Sequence, residues 1–517
     1  MADKDKFIAH INEGYAVKGD CIVLGTAILE GEALPNVQIK LPLKTLNRHG
    51  LIAGATGTGK TKTLQVLAEG FSSKSIPVFV MDIKGDFSGI AMPGTVNDKI
   101  TDRMNKIGLP FEPTGFPVEF LTISEEKGTR LRATVSEFGP VLFSKMLGLN
   151  DAQTGVMAMV FKYCDDKKLP LLDLQDMKKM LQYISDEGKE ELQKTYGNIS
   201  TTSVGTILRK VIELEQQKAD LFFGETSFEV EDLLRTDNQG RGIISIIRLT
   251  DIQSKPKLFS TFLLCLLVEI YNTFPEEGYL DQPKLVMFID EAHLIFNEAT
   301  KELLEQIESI IKLIRSKGVG IFFCTQNPVD VPESVLAQLG LKIQHALRAF
   351  TAKDRKQIKL ISENYPLSEF YKTEDMMTSL GIGEAAISVL NEKGNPTPLS
   401  ATLLCAPKSR MDTLTPGEID SIAGKSKLTA KYNEVINRES AYEILTKKLE
   451  ESQKTEEEQK KEEAETKQKP QEKSTVEKVL TSTTARQVGR TVAREVARGL
   501  MGVLGIGGSS RKKKSWF

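Results

Sequence analysis

The run Gly54-Ala55-Thr56-Gly57-Thr58-Gly59-Lys60-Thr61 satisfies Gly-x-x-x-x-Gly-Lys-[Ser/Thr], a spacing suited to holding a chain of phosphates. Glycines let the backbone curl until successive N–H groups converge on phosphate oxygens, and a helix N-terminus behind the loop adds a favourable dipole. In that arrangement Lys60 reaches the β and γ phosphates of ATP and the Thr61 hydroxyl ligates Mg²⁺. Lys62 completes the expected nucleotide-binding set.

A second group follows the apolar run KLVMFID, residues 284–290, where Asp290 and Glu291 stand side by side. A buried strand there delivers both carboxylates at its C-terminal end, where α/β sheets place their ligands. Neighbouring side chains on a strand face opposite ways, so one acid can hold the metal while the other polarises the attacking water. Asp290 is assigned to the metal and Glu291 to the general base. An apolar strand ending in acids is also ordinary surface capping, a reading that the phosphate-loop motif disfavours.

Three weaker groups of candidates complete the set. Gln326, in Thr325-Gln326-Asn327-Pro328, is a candidate sensor of the γ-phosphate, whereas Asn327 before Pro328 reads as a turn initiator. Asp82 and Asp86, in DIKGD, are open between catalysis and capping a turn. Arg315 and Arg348 are both candidates for an arginine finger, and either could instead be a structural ion-pair residue.

Positioning these residues requires an α/β fold of the RecA-like P-loop type with a mostly parallel sheet. The strand at Leu51, a helix from Lys62 to Ser72 and a strand from Pro77 to Met81 form a βαβ unit. Strand and helix alternate again through GIISIIRL, an apolar helix, KLVMFID, an amphipathic helix, GIFFCTQ and KIQHALRAF. Leu303, Ile307, Ile310, Ile311 and Ile314 recur at helical spacing and supply one face to bury on the sheet. The expected layout is a short β-rich segment over 1–45, a core over 46–92 and 240–405, and a mainly helical insertion over 93–239. A core extension over 406–446, a charged linker over 447–484 and a basic amphipathic tail over 485–517 follow.

The chain has 517 residues, 68 Lys and Arg against 70 Asp and Glu, and a net charge of −2. That balance excludes a generally basic nucleic-acid coat, so any charged surface is local. Five scattered cysteines form no Cys-x-x-Cys pair, which fits a reducing cytoplasm and no zinc site. The start has no continuous apolar stretch and is not read as a secretory signal. The apolar window at 262–268 is shorter than the ~20 residues a transmembrane helix needs. A cytoplasmic protein is expected.

Taken together, NRHGLIAGATGTGKTKTLQVLAEGF, VFVMDIKGDFSGIA, KLVMFIDEAHLIF, LIRSKGVGIFFCTQNPVDVPESVLAQLG and QHALRAFTAKDRK resemble the HerA/FtsK superfamily of ring-forming motor ATPases, most nearly its HerA-like helicase branch. The resemblance covers roughly residues 20–445. It implies a homo-oligomer, a hexameric ring, that hydrolyses ATP with Mg²⁺ and translocates on double-stranded DNA, and it places Lys60, Thr61, Asp290, Glu291 and Gln326 at the nucleotide. The N-terminal segment is shorter than the β-barrel of typical HerA proteins, and no winged-helix reader like that of FtsK is seen. A non-translocating ATP switch acting on a partner protein is therefore kept as the alternative.

Asp290-Glu291-Ala292-His293 also spells the DEAH box of another helicase superfamily. That reading is rejected because no Gln-x-x-Gly-Arg-x-Gly-Arg motif supplies a second lobe, and His293 is read as a packing residue. In the tail, Arg486, Arg490, Arg494 and Arg498 recur every four residues beside Val488, Val492, Val496 and Leu500. The stripe could contact nucleic acid, an anionic membrane surface or the ring itself.

Overall fold

The structure is a computed structural model describing residues 3–251, 256–278, 280–298, 301–434, 436 and 438–467. Its twelve strands are β1 (Cys21–Leu29), β2 (Glu32–Pro42), β3 (Gly50–Ala53), β4 (Val78–Asp82), β5 (Val118–Thr122), β6 (Thr129–Arg130), β7 (Ile244–Arg248), β8 (Leu285–Ile289), β9 (Val319–Thr325), β10 (Leu341–His345), β11 (Glu384–Ser388) and β12 (Ser400–Leu404). They form one sheet in the order β2-β1-β12-β11-β10-β3-β9-β8-β4-β7-β5-β6. From β10 to β6 every pairing is parallel, and the other four strands are antiparallel.

The helices are α1 (Lys4–Gly14), α2 (Lys60–Ser73), α3 (Asp98–Ile107), α4 (Val135–Met146), α5 (Asp151–Lys167), α6 (Leu174–Ser185), α7 (Lys189–Tyr196), α8 (Thr201–Gln216), α9 (Pro256–Thr273), α10 (His293–Glu298) and α11 (Lys301–Ile314), then α12 (Glu333–Leu336), α13 (Ala352–Ser362), α14 (Thr373–Ser379), α15 (Pro416–Ala423), α16 (Lys427–Tyr432) and α17 (Ala441–Lys467). Among the described residues no helix is long and apolar enough to cross a membrane.

Strands β3, β8 and β9 are continuously apolar or small until their last residue because both faces of the sheet are covered. Alternate residues serve opposite cores. Leu51, Phe79, Met81, Met287, Ile289, Ile321 and Phe323 join α4–α6, α8, α9 and α11 in one cluster. Ile52, Val78, Val80, Val286, Phe288, Phe322 and Cys324 face Leu64, Leu67, Ala68 and Phe71 of α2 in another. Phe71 lies 6.0 Å from the Phe288 ring and 5.9 Å from Phe322, so α2 is clamped over the middle of the parallel strands.

Three sequence expectations differ from this architecture. The stretch over 93–239 is helical from α4 to α8, but its first part supplies β5 and β6 at the sheet edge. The charged segment starting at 447, expected as a linker, begins as helix: α17 continues to Lys467. Its first turns bury Ala441 and Leu445; farther along, Lys and Glu at helical spacing favour the same conformation without an apolar seam. The short runs expected at 1–45 are long strands that extend the sheet through β12. Residues up to Leu449 make one compact unit, and α17 beyond Leu449 belongs to a second. The tail over 485–517 lies outside the described residues.

Candidate nucleotide site

The candidate residues gather at one edge because the strands carrying them are parallel. Ala53 of β3 is in register with Thr325 of β9 and Gln344 of β10, and β9 continues to β8 and β8 to β4. Every one of these strands therefore delivers its following loop to the same side.

The loop after β3 is held tightly. Gly54 has φ 153°, and a Cβ there would lie 2.5 Å from the His345 Cβ, so no larger residue fits that approach. The Ala55 N–H donates to Ala346 O at 3.0 Å, the Gly383 N–H to Thr58 O at 3.0 Å, and the Thr58 hydroxyl to Ala55 O at 2.7 Å. Gly59 begins α2 without a side-chain cap, which leaves the first N–H groups of the helix directed toward an anion. The Lys60 ammonium folds back on the loop, donating to Gly54 O at 2.7 Å and Ala55 O at 3.1 Å. Burial lowers its pKa first, and the positive charge of Lys84 lowers it further, against the pull of Glu291 and Asp290. The Thr61 hydroxyl points to Asp86 Oδ2 at 3.3 Å.

Four carboxylates face this loop. Asp82 accepts the N–H groups of Gly85 at 2.8 Å and Phe87 at 3.2 Å, so it caps the turn after β4; burial and then Asp86 push its pKa up to about 6. Asp290 is pushed up to about 7, chiefly by burial and then by Glu291, with Asp82 and Asp86 adding and Lys84 opposing. Glu291 is 5% exposed and has φ 47°, a left-handed conformation that costs a side-chain-bearing residue about 1–3 kcal/mol. Its carboxylate pairs with Lys84 and stands 3.1 Å from His293 Nδ1.

The remaining candidates divide. Gln326 follows β9 directly, at the loop edge between β3 and β8, and is exposed. Asn327 caps its own turn, accepting Val329 N–H at 3.4 Å, while Asp330 closes it from Thr325 at 2.8 Å. Arg348 follows β10 on the same edge; it is exposed and donates to Thr378 O at 3.4 Å. Arg315 precedes β9 and so sits at the opposite edge, ~20 Å from the loop at ~3.3 Å per strand residue. The structure does not bring Arg315 to this chain's own loop. The Lys62 ammonium donates to Met411 O and to Gln65 Oε1.

Sequence reasoning missed Lys84, although it lies inside the quoted DIKGD. It also missed His345, whose Nε2 is 2.9 Å from the Thr63 hydroxyl and whose pKa burial lowers to about 4. Glu69 escaped notice as well. It accepts the N–H groups of Lys408 at 2.8 Å and Ser409 at 3.0 Å, pinning residues 408–411 as a strap across α2. For His345 and Glu69, a polar residue on an otherwise buried element is the signal that could have found them; exposed Lys84 carries no such signal.

A phosphate cradle at a helix N-terminus, opposed by a strand-end acid pair on one parallel sheet, defines a nucleotide-binding protein of the RecA-like P-loop class. The chain belongs to the helicase HerA-like C-terminal family, whose model matches residues 28–512. It is 23% identical over 359 residues to the DNA double-strand break repair helicase HerA of Sulfolobus acidocaldarius, covering 68% of this chain and 64% of that one. With the protein of the same name from Saccharolobus solfataricus it shares 24% over 356 residues, at the same coverages. With the DNA import protein CedB of Sulfolobus acidocaldarius it shares 24% over 383 residues, covering 73% of this chain and 55% of CedB. The chain thus spans 64% of the length of the HerA relatives it matches. In fold it is similar to the bacterial conjugative coupling protein TrwBdeltaN70 in its sulphate complex, with a TM-score of 0.53 at 14% identity over 79% of this chain and 94% of that one.

Proposed function

We propose that this chain is an ATP-hydrolysing motor that assembles as a hexameric ring and moves double-stranded DNA. The observation that carries the ATPase reading is that parallel β3 and β8, either side of β9, bring the Lys60 loop and the Asp290–Glu291 pair to one end of the sheet from opposite halves of the core sequence. The DNA reading rests on the relatives, which are named as a DNA repair helicase and a DNA import protein.

The residues fit Mg²⁺ with ATP. Among the described residues no three side chains form a ready-made metal cage, and Mg²⁺ takes only one or two protein ligands beside phosphate oxygens and water. Thr61, whose hydroxyl points to Asp86, and Asp290, at the end of β8 beside the loop, would hold it. Bound Mg²⁺ would neutralise charge developing on the phosphates. Lys60 exchanges the carbonyls of Gly54 and Ala55 for phosphate oxygens, and the free N–H groups at the start of α2 orient the chain of phosphates. Glu291, buried and held in a strained conformation, accepts a proton from the attacking water.

ATP hydrolysis by the wild type and Glu291→Gln, with and without duplex DNA, tests the reading alongside the native mass of the oligomer. The Gln variant is expected to bind ATP but to lose about 10²–10⁴ in rate, the usual contribution of a general base. Duplex DNA should stimulate the wild type in a salt-dependent manner, and the mass should be six chains. Hydrolysis indifferent to DNA, in a particle whose rate responds to a co-purifying protein, would replace the motor by an ATP-dependent switch. No hydrolysis would overturn both.

A further inference from the structure

Lys84 is the second ammonium at this site. It lies in the turn after β4 that Asp82 fixes by accepting two N–H groups, so its backbone is anchored while its side chain remains 40% exposed. The tip of that side chain pairs with Glu291, whose own side chain is only 6% exposed. Lys84 is also near enough to Lys60 for the two charges to oppose each other, and Lys60 is turned back onto loop carbonyls. Two ammoniums, each held by protein oxygens, therefore stand beside the phosphate cradle. One is held by the carboxylate that hydrolysis needs free.

We propose that Lys84 is a brake and a sensor for the γ-phosphate: without nucleotide it occupies Glu291, and a terminal phosphate draws it off, releasing the base and adding a cation to the transferring group. The inference rests on the ATPase reading. Two properties of the pair favour an exchange over a fixed structural bridge. Lys84 is a flexible four-carbon stem with a point charge, and a phosphate offers more negative charge than the single carboxylate it would leave. The arginine candidates do not compete for the position in this chain, since Arg315 is at the far edge and Arg348 donates to Thr378 O. No atom is transferred to or from Lys84, which moves its charge from a carboxylate to a phosphate oxygen.

The test compares Lys84→Met, Lys84→Arg and Lys60→Ala, measuring affinity for ATPγS and for ADP, and kcat and KM for ATP. Lys84→Met keeps the stem and removes the charge. It should bind ADP within about twofold of wild type and lose about tenfold or more for ATPγS, the value of a charge-assisted hydrogen bond. Its kcat should fall by about 10²–10³, as when one transition-state donor is removed, and Lys84→Arg should recover part of both. Equal effects on ATPγS and ADP would overturn the proposal in favour of a structural bridge, and so would a Met variant with wild-type ATPγS affinity and kcat. Lys60→Ala separates the two readings. If it abolishes nucleotide binding while Lys84→Met has no effect, only the brake fails; if Lys60→Ala binds and hydrolyses ATP normally, the ATPase reading itself fails.

Discussion

Replacing Asp290 by Asn should stabilise the nucleotide-free protein while destroying its activity, and the stabilisation should depend on pH in a defined direction. The carboxyl is raised from its ordinary 3.8 to about 7, mainly by burial and by the charge of Glu291. Three pKa units correspond to a ceiling of about 4 kcal/mol at pH 8. Because the folded pKa lies above the unfolded one, the folded state holds more protons between about pH 4 and 7, and stability falls as pH rises through that window. Asn removes the charge and so removes the fall. In urea unfolding followed by circular dichroism, without Mg²⁺ or nucleotide, Asp290→Asn should exceed the wild type by about 1–4 kcal/mol at pH 8. At pH 5 the folded carboxyl is already protonated, and the gain should be less than half as large. Adding Mg²⁺ with ATPγS should then stabilise the wild type more than the variant, since only the wild type retains the carboxylate for the metal. An Asn variant no more stable than wild type at pH 8, or a gain that does not shrink at pH 5, would refute the picture of Asp290 as a carboxyl whose charge is disfavoured by burial and by Glu291.

Gly54→Ala should weaken ATPγS binding by about 10–100-fold, since a Cβ 2.5 Å from the His345 Cβ demands about 1–3 kcal/mol of rearrangement in the loop; calorimetric titration reads it. Glu69→Ala should lower unfolding free energy by about 2–4 kcal/mol, because the N–H groups of Lys408 and Ser409 lose their acceptor, and limited proteolysis should then cut the strap over 408–411. His49 donates from Nε2 to Ile311 O at 2.8 Å and accepts the Ile321 N–H at 3.0 Å, and burial lowers its pKa to about 4. With the folded value below the unfolded 6.5, its contribution is complete above about pH 6.5 and is lost as pH falls toward 4; His49→Phe should flatten that part of the stability profile and lower the plateau by about 2–4 kcal/mol.

The phosphate loop and the acid pair were legible because each is contiguous in sequence and its chemistry is carried by residue types that few other structures need. The parallel core was legible for the same reason: GLIA, LVMFI and VGIFFC are apolar through and through, as strands covered on both faces must be. What escaped was set by distant pairing. Val118–Thr122 is a short strand bordered by helices, and its place beside β7 depends on residues more than a hundred positions away. The helix from Ala441 to Lys467 lacks an apolar seam after its first turns, so a search for one favours a linker, whereas its start is fixed by burial of Ala441 and Leu445. Lys84 escaped because its importance lies in meeting Glu291, a relation that spacing along the chain does not encode.

How α2 is held bears on what can move when phosphate arrives. Its apolar face, with Leu64, Leu67, Ala68 and Phe71, is buried against the sheet. Its polar face presents Lys62, Gln65 and Glu69 at helical spacing, and these bind the strap: Gln65 donates to Ser409 Oγ at 2.6 Å and Arg410 O at 2.9 Å. The strap in turn is paired to the opposite wall, with Arg410 N–H on Met92 O at 2.8 Å and Gly94 N–H on Lys408 O at 3.0 Å. A helix fixed on both faces cannot shift without breaking a packed core or a buried polar set, and the loop at its start is tied to β10 and β11 as well. On the proposed reading the groups that rearrange are the side chains of Lys60 and Lys84, each paired with groups that a phosphate can replace. On the proposed reading, nucleotide binding at this edge would therefore be a rearrangement of charges on a rigid frame.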